Sequence, residues 1–299
     1  MSYADVALGL IVLGLSAYLL FGGADFGAGL WHLFARRRTD REVIEHAMGP
    51  LWEANHVWLI FVMVMTWTAF PPIFASVMTE HWVPLSLAAL GIVARGSTFV
   101  FAKAVPDHHV RYGVVFGVSS LLTPFCFGAV ATAITTGDGT WLSPAGLYGG
   151  ALTTALCAYL AAVYLIWDAR RLADADAALR FRGYALLSGI VVGVLALPGA
   201  ALIDVRSPLI IVSAVAGLVS LVLVARHRLL AVRATGALAV VSVLWGAVER
   251  AGLDLDAAAA QDTVLQFVFF ALGIGALVLV PSMIWLFVLF QRSTEADAH

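Results

Sequence analysis

Charge is what this sequence has least of. Asp, Glu, Lys and Arg make up 12% of its 299 residues, against roughly a quarter in an ordinary soluble domain. With 62% of residues hydrophobic and a mean hydropathy of +0.94, the chain cannot cover its surface with polar groups, so most of that surface must face lipid. Cysteine is nearly absent. Cys126 and Cys157 are the only two, both inside apolar runs, which excludes a disulfide scaffold and a zinc finger. There is no basic tail or basic motif, and the net charge is -2, so nucleic acid is not an expected partner. A basic leader segment is also missing. The first apolar run continues past any small-residue cleavage point, so no cleavable signal peptide is expected and the mature chain should start near Met1. No internal repeat or low-complexity tract interrupts the chain, which reads as one transmembrane domain over residues 1–299.

Long hydrophobic runs dominate what is present. A helix rising 1.5 Å per residue needs about 20 apolar residues to cross about 30 Å of hydrocarbon. Charged or turn-forming breaks divide the chain into nine such segments: 6–34, 51–70, 83–102, 112–135, 146–167, 184–203, 209–225, 229–248 and 264–290. A membrane β-barrel is excluded, because its strands alternate over short segments. The expected fold class is therefore all-α, a polytopic integral membrane protein. Segments six and seven are divided only by Asp204-Val205-Arg206-Ser207-Pro208. Arg170–Arg182, with alternating charge and alanine, predicts a small cytoplasmic helix, and Gly252–Asp262 predicts an acidic outer loop. GxxxG spacings at Gly23/Gly27, Gly113/Gly117 and Gly189/Gly193 predict close helix packing.

The cations set the orientation. With nine spans, 14 of the 17 Lys and Arg residues fall on one side and only Arg206 and Arg250 on the other. Cytoplasmic loops carry the excess of cations, so the N-terminus should lie outside and the C-terminus in the cytoplasm. The remaining cation, Arg95, lies within a span.

Ionisable groups inside hydrocarbon cost several kcal/mol each and are functional candidates by default. Here they are Asp25 in span one, Glu53 and His56 in span two, and Arg95 in span three. Asp25 and Glu53 are equally distant from Thr39, the centre of the intervening cytoplasmic loop. Two helical arms would therefore hold both carboxylates at one depth, roughly 15 Å in from the loop cations. Arg95 precedes Lys103 by eight residues, a depth of about 12 Å from the same side. Glu53 and His56, three apart, share a helix face. Two readings fit this spacing equally. Asp25 and Glu53 are exchangeable sites of a proton-conducting cluster, or Arg95 is a structural counter-ion that locks three helices together. Metal ligation by His56 is a third. The other histidines fall near loop ends, where a partly wet imidazole is ordinary.

Three ordered motifs carry a family resemblance. Leu20-Phe21-Gly22-Gly23-Ala24-Asp25-Phe26-Gly27-Ala28-Gly29 resembles the first-span signature of subunit II of cytochrome bd-type quinol oxidases. Gly49-Pro50-Leu51-Trp52-Glu53-Ala54-Asn55-His56-Val57-Trp58-Leu59 resembles its second span, and Ala94-Arg95-Gly96-Ser97-Thr98-Phe99 its third. Weaker likeness returns at Trp245-Gly246 and over residues 279–287. Between Tyr112 and Val243 the match is in hydropathy alone. Two departures stand out. Val100 occupies a position where the family often has an acid, and the chain is shorter than most of the family.

The resemblance implies two four-helix bundles plus a peripheral helix. It implies a heterodimer with a subunit I that carries the quinol site and haems b and d, so that this chain alone binds no cofactor beyond a structural quinone or lipid. A small single-span subunit is a further expected partner. The complex would oxidise quinol and reduce dioxygen to water in a bacterial or archaeal plasma membrane. The acids matching Asp25 and Glu53 would supply protons from the cytoplasm, with His56 beside them. From other function classes, a proton-coupled secondary transporter would need inverted repeats and broken helices, and a self-sufficient haem protein would need more axial ligands than one deep histidine.

Overall fold

The computed structural model describes residues 2–48, 52–104, 109–202, 207–252 and 254–296. No strand occurs among them, and helices connected by short turns account for nearly all of the described chain. In order, the helices are α1 (Tyr3–Ala17), a π-helical turn (Tyr18–Gly22), α2 (Gly23–Phe34), α3 (Arg38–Met48), α4 (Trp52–Ala69), α5 (Pro71–Glu80), α6 (Trp82–Ala104), α7 (His109–Thr136), α8 (Pro144–Arg171), α9 (Ala175–Leu202), α10 (Pro208–Ala225), α11 (Leu229–Ala251), α12 (Leu255–Ala258) and α13 (Asp262–Ala296).

Local sequence sets the boundaries. Ser2 and Asp5 form a capping box at the start of α1: the Asp5 amide donates to the Ser2 hydroxyl, and the Ser2 amide donates to the Asp5 carboxylate at 2.7 Å. These bonds satisfy donors that the first helical turn leaves without partners. Ser143 caps α8, followed by Pro144, which lacks the N–H that a first turn leaves orphaned anyway. Gly252 ends α11 at φ +54°, a left-handed conformation that glycine adopts without strain.

Among the described residues, seven helices are long and apolar enough to cross a membrane, or eight if the bent pair α4–α5 is one span. Six of the nine expected segments lie within single helices, the third in α6; the first runs through α1, the π turn and α2, and the second and sixth reach past the ends of α4 and α9, so the described residues do not confirm nine crossings. The expected break between segments six and seven falls largely on residues 203–206, outside the described residues; α9 is described to Leu202 and α10 from Pro208.

Two local expectations are corrected. Arg170–Arg182 is not a separate helix. α8 runs to Arg171, a tight turn carries Ala173 at φ +57°, and α9 starts at Ala175, so the charged segment belongs to the ends of two spans. The loop around Thr39 is the helix α3, whose face bearing Val43 and Ile44 is buried. The connection after Phe70 is helical as well. α5 departs from α4 at 119°, because Pro71 disfavours the helical conformation in the preceding residue and Phe70 adopts φ −135°.

The first span, α1 through α2, is the hub. α1 packs on α4, and α2 packs on α7 and α8. α6 lies against α7, and α8, α9, α10 and α11 follow one another as antiparallel neighbours. α13 is peripheral, touching α1 and α4 lightly and exposing most of its apolar residues. Close approach of α2 to α8 is made by glycine. A Cβ on Gly27 would fall on the main-chain carbonyl oxygen of Cys157, and one on Gly23 would lie 3.3 Å from the Cys157 sulfur. Gly113 and Gly117 receive His32 and Leu33 in the same way, while Gly193 meets nothing within 4 Å. The first two spacings therefore mark packing, and the third only at Gly189. On the cytoplasmic side expected from the cation count, the guanidinium of Arg180 on α9 ion-pairs with the buried carboxylate of Asp40 on α3.

Candidate functional site

α2 and α4 bring a set of polar groups to one depth. Asp25, on the first turn of α2, is buried. Its Oδ2 accepts a hydrogen bond from Nδ2 of Asn55 on α4 at 2.5 Å. Sequence spacing placed Asp25 level with position 53; the residue it meets is two positions on. Glu53 lies on the first turn of α4, and its side chain is outside the described residues, as are those of Val100 and Lys103. His56 follows on the same helix, half-buried, with its ring 6.5 Å from that of Tyr18.

Arg95 reaches the same place from α6. It is buried, and its Nη2 donates to the main-chain carbonyl of Asp25 at 2.8 Å. Its guanidinium carbon lies 5.0 Å from the ring centre of Phe26 and 5.1 Å from that of Phe116. A cation removed from water is stabilised over the negative faces of aromatic rings, and here two rings and a carbonyl do this work. The ion pairs among the described residues are His32–Glu45, Arg38–Glu42 and Arg180–Asp40. Arg95 takes part in none of them, so the Asp25 carboxylate is bonded to an amide rather than clamped in a salt bridge.

Small residues make room for this cluster. Gly23 and Gly27 bring α2 against α8, and a Cβ on Gly29 would fall on the Ser120 hydroxyl of α7. The π turn immediately precedes Asp25, and such turns occur frequently at functional sites. Tyr18 opens it, buried, with its ring edge-on to Phe26 at 6.2 Å and to Phe127 at 6.1 Å. Among the described residues, neither the Tyr18 hydroxyl nor Arg95 Nε has a hydrogen-bond partner.

A carboxyl, an amide, a guanidinium, an imidazole and a phenol thus lie near one another inside the membrane. Such a set can hold and pass a proton, and it can also fasten helices together. No three His, Cys, Asp or Glu side chains among the described residues converge to hold a metal ion. A cleft of about 390 Å³ opens elsewhere, beneath α5 beside Glu80 and Gly139, and contains none of the expected site residues.

Two members were missed from sequence. Asn55 stands inside the second-span motif, and an amide in an apolar span should raise the same question as a charge, because burying it without a partner is costly. Tyr18 gave no signal, since nothing in Tyr18-Leu19-Leu20-Phe21-Gly22 announces a π turn.

Comparison with known proteins bears on the whole chain. The family described as Cytochrome bd terminal oxidase subunit II matches residues 3–290. Cytochrome bd ubiquinol oxidase subunit 2 of Bacillus subtilis (strain 168) is 32% identical over 122 residues, which is 39% of this chain and 36% of that protein. Cytochrome bd-I ubiquinol oxidase subunit 2 of Escherichia coli (strain K12) is 24% identical over 126 residues, 40% of this chain and 32% of that protein. These alignments span about a third of the relatives' length. In fold, the chain is similar to the bd oxidase from Geobacillus thermodenitrificans, with a TM-score of 0.76 at 20% identity over 97% of this chain and 99% of that one.

Proposed function

The chain belongs to the cytochrome bd terminal oxidase subunit II family, and from that premise we propose that it serves a quinol:oxygen oxidoreductase by conducting protons from the cytoplasm. Its partner is a subunit I that holds haems b and d and the quinol site, and a small single-span subunit completes the complex. The haems supply the electron transfer and oxygen chemistry there; this chain supplies helices and a route for protons. The N-terminus faces outward and the C-terminus the cytoplasm.

The observation that carries this reading is the state of Asp25. Its carboxylate is buried and held by Asn55 at 2.5 Å, while the nearby Arg95 spends a hydrogen bond on the Asp25 main chain. A bidentate salt bridge would tie up both carboxylate oxygens. The amide occupies Oδ2 and leaves Oδ1 outside that bond, so the carboxyl can take and release a proton without dismantling an ion pair. In this scheme Glu53 stands on the cytoplasmic side of Asn55 along α4, and His56 one residue beyond it. They pass protons to Asp25, and Arg95 holds the α2 main chain at that depth.

The test is oxygen consumption per haem in the assembled complex carrying Asp25→Asn or Glu53→Gln. Both variants keep side-chain size and some hydrogen bonding but cannot exchange a proton. Full haem content with turnover lowered about tenfold or more is expected, a threshold set below the roughly hundredfold or greater contribution typical of a positioned proton-transfer group. Wild-type turnover per haem in both variants would remove the proton path.

A further inference from the structure

We infer that Tyr18 is a proton-relaying hydroxyl that carries the route from Asp25 to the middle of the membrane, an inference that rests on the proton-path reading of Asp25. The first span runs over Tyr3–Phe34, and Tyr18 stands at its centre, seven residues before Asp25 and therefore about 10 Å further from the Phe34 end.

The ring is fixed and its direction is set. It lies along the helix over Gly22, where an added Cβ would meet Tyr18 Cε2 at 3.1 Å and Cδ2 at 3.2 Å. The side chain thus leans toward Asp25 rather than out to lipid, and it is only 7% exposed. Phe26 and Phe127 hold it edge-on, and the His56 ring lies 6.5 Å away. Phe26 also receives the Arg95 guanidinium on its face. Tyr18 and Arg95 therefore flank one ring, and each keeps a buried polar atom, Oη and Nε, without a partner among the described residues.

A phenylalanine would fill this aromatic pocket without burying an unsatisfied hydroxyl. A buried polar group left without a partner is destabilising, and a residue that carries such a group into the membrane centre is placed for chemistry rather than for packing. A hydroxyl is both donor and acceptor. It accepts a proton on Oη as its own proton leaves, with water carrying the proton in from Asp25 and onward, so Tyr18 begins and ends neutral. The π turn that begins at Tyr18 supports the same view, since such single-turn insertions are rare and occur frequently at functional sites.

Tyr18→Phe in the complete complex separates relay from packing. The expected result is full haem content, a thermal midpoint equal to or above wild type, oxygen consumption per haem at least about threefold lower, and a larger D2O solvent isotope effect as proton delivery becomes limiting. Packing alone would not move the isotope effect. Wild-type turnover and isotope effect in Tyr18→Phe, with turnover still lowered in Asp25→Asn, would overturn the role of Tyr18 and leave the proton path standing. Wild-type behaviour in both would overturn both. A turnover loss that follows lost haem or a lowered thermal midpoint would make Tyr18 a packing residue and overturn the relay.

Discussion

Asn55 donates its side-chain amide to the Asp25 carboxylate at 2.5 Å, joining two spans at residues 30 positions apart. The bond satisfies two buried polar groups at once. It also sets the relative height of α2 and α4, because both side chains are buried and meet there. Asn55→Ala should therefore leave Asp25 short of its donor and destabilise the chain by about 1–3 kcal/mol, the cost of a buried group losing its partner. The measurement is the thermal midpoint of the detergent-solubilised complex. A midpoint unchanged from wild type would mean that Asp25 draws its stabilisation from elsewhere.

The approach of α2 to α8 depends on a missing side chain. A Cβ at position 27 would fall on the Cys157 carbonyl oxygen and 2.7 Å from the Ala161 Cβ. The obstacle is main chain, so no rotamer change relieves it. Gly27→Ala should force the helices apart and Gly27→Val more so, each costing about 1–3 kcal/mol or more by overpacking. Haem content per unit of purified protein reads the effect, with Gly193→Ala as the control, since nothing lies within 4 Å there. Equal haem retention in Gly27→Val and Gly193→Ala would show that the contact is not tight.

Topology rests on the cation asymmetry and can be checked by thiol labelling. Thr39 on α3 and Ala257 on α12 are both exposed, and the native Cys126 and Cys157 are free but buried, so an impermeant reagent should report only an introduced thiol. Ala257→Cys should react in intact cells and Thr39→Cys only in inverted vesicles. Reaction of both from the same side would overturn the orientation.

Much of the fold was legible because lipid is a simple solvent. In hydrocarbon every backbone group must be satisfied within its own segment, so apolar length alone located most of the long helices. The same reasoning located Asp25 and Arg95, since ionisable residues in lipid are few and costly. Depth was nearly legible too, because a fixed rise per residue put Asp25 within two positions of its partner on α4.

What the spacing could not supply was direction around each helix. Arg95 could have pointed its guanidinium at the Asp25 carboxylate; instead it bonds the Asp25 main chain and lies between Phe26 and Phe116, rings that converge only when α2, α6 and α7 pack. The π turn at Tyr18 likewise has no signal in its own segment. Hydropathy by itself determined which residues enter the membrane, because transfer into lipid is close to a sum over residues. Tertiary structure decided which of them meet, because a hydrogen bond or a ring contact needs two helices at one angle and one distance, and no single segment encodes its neighbour's rotation.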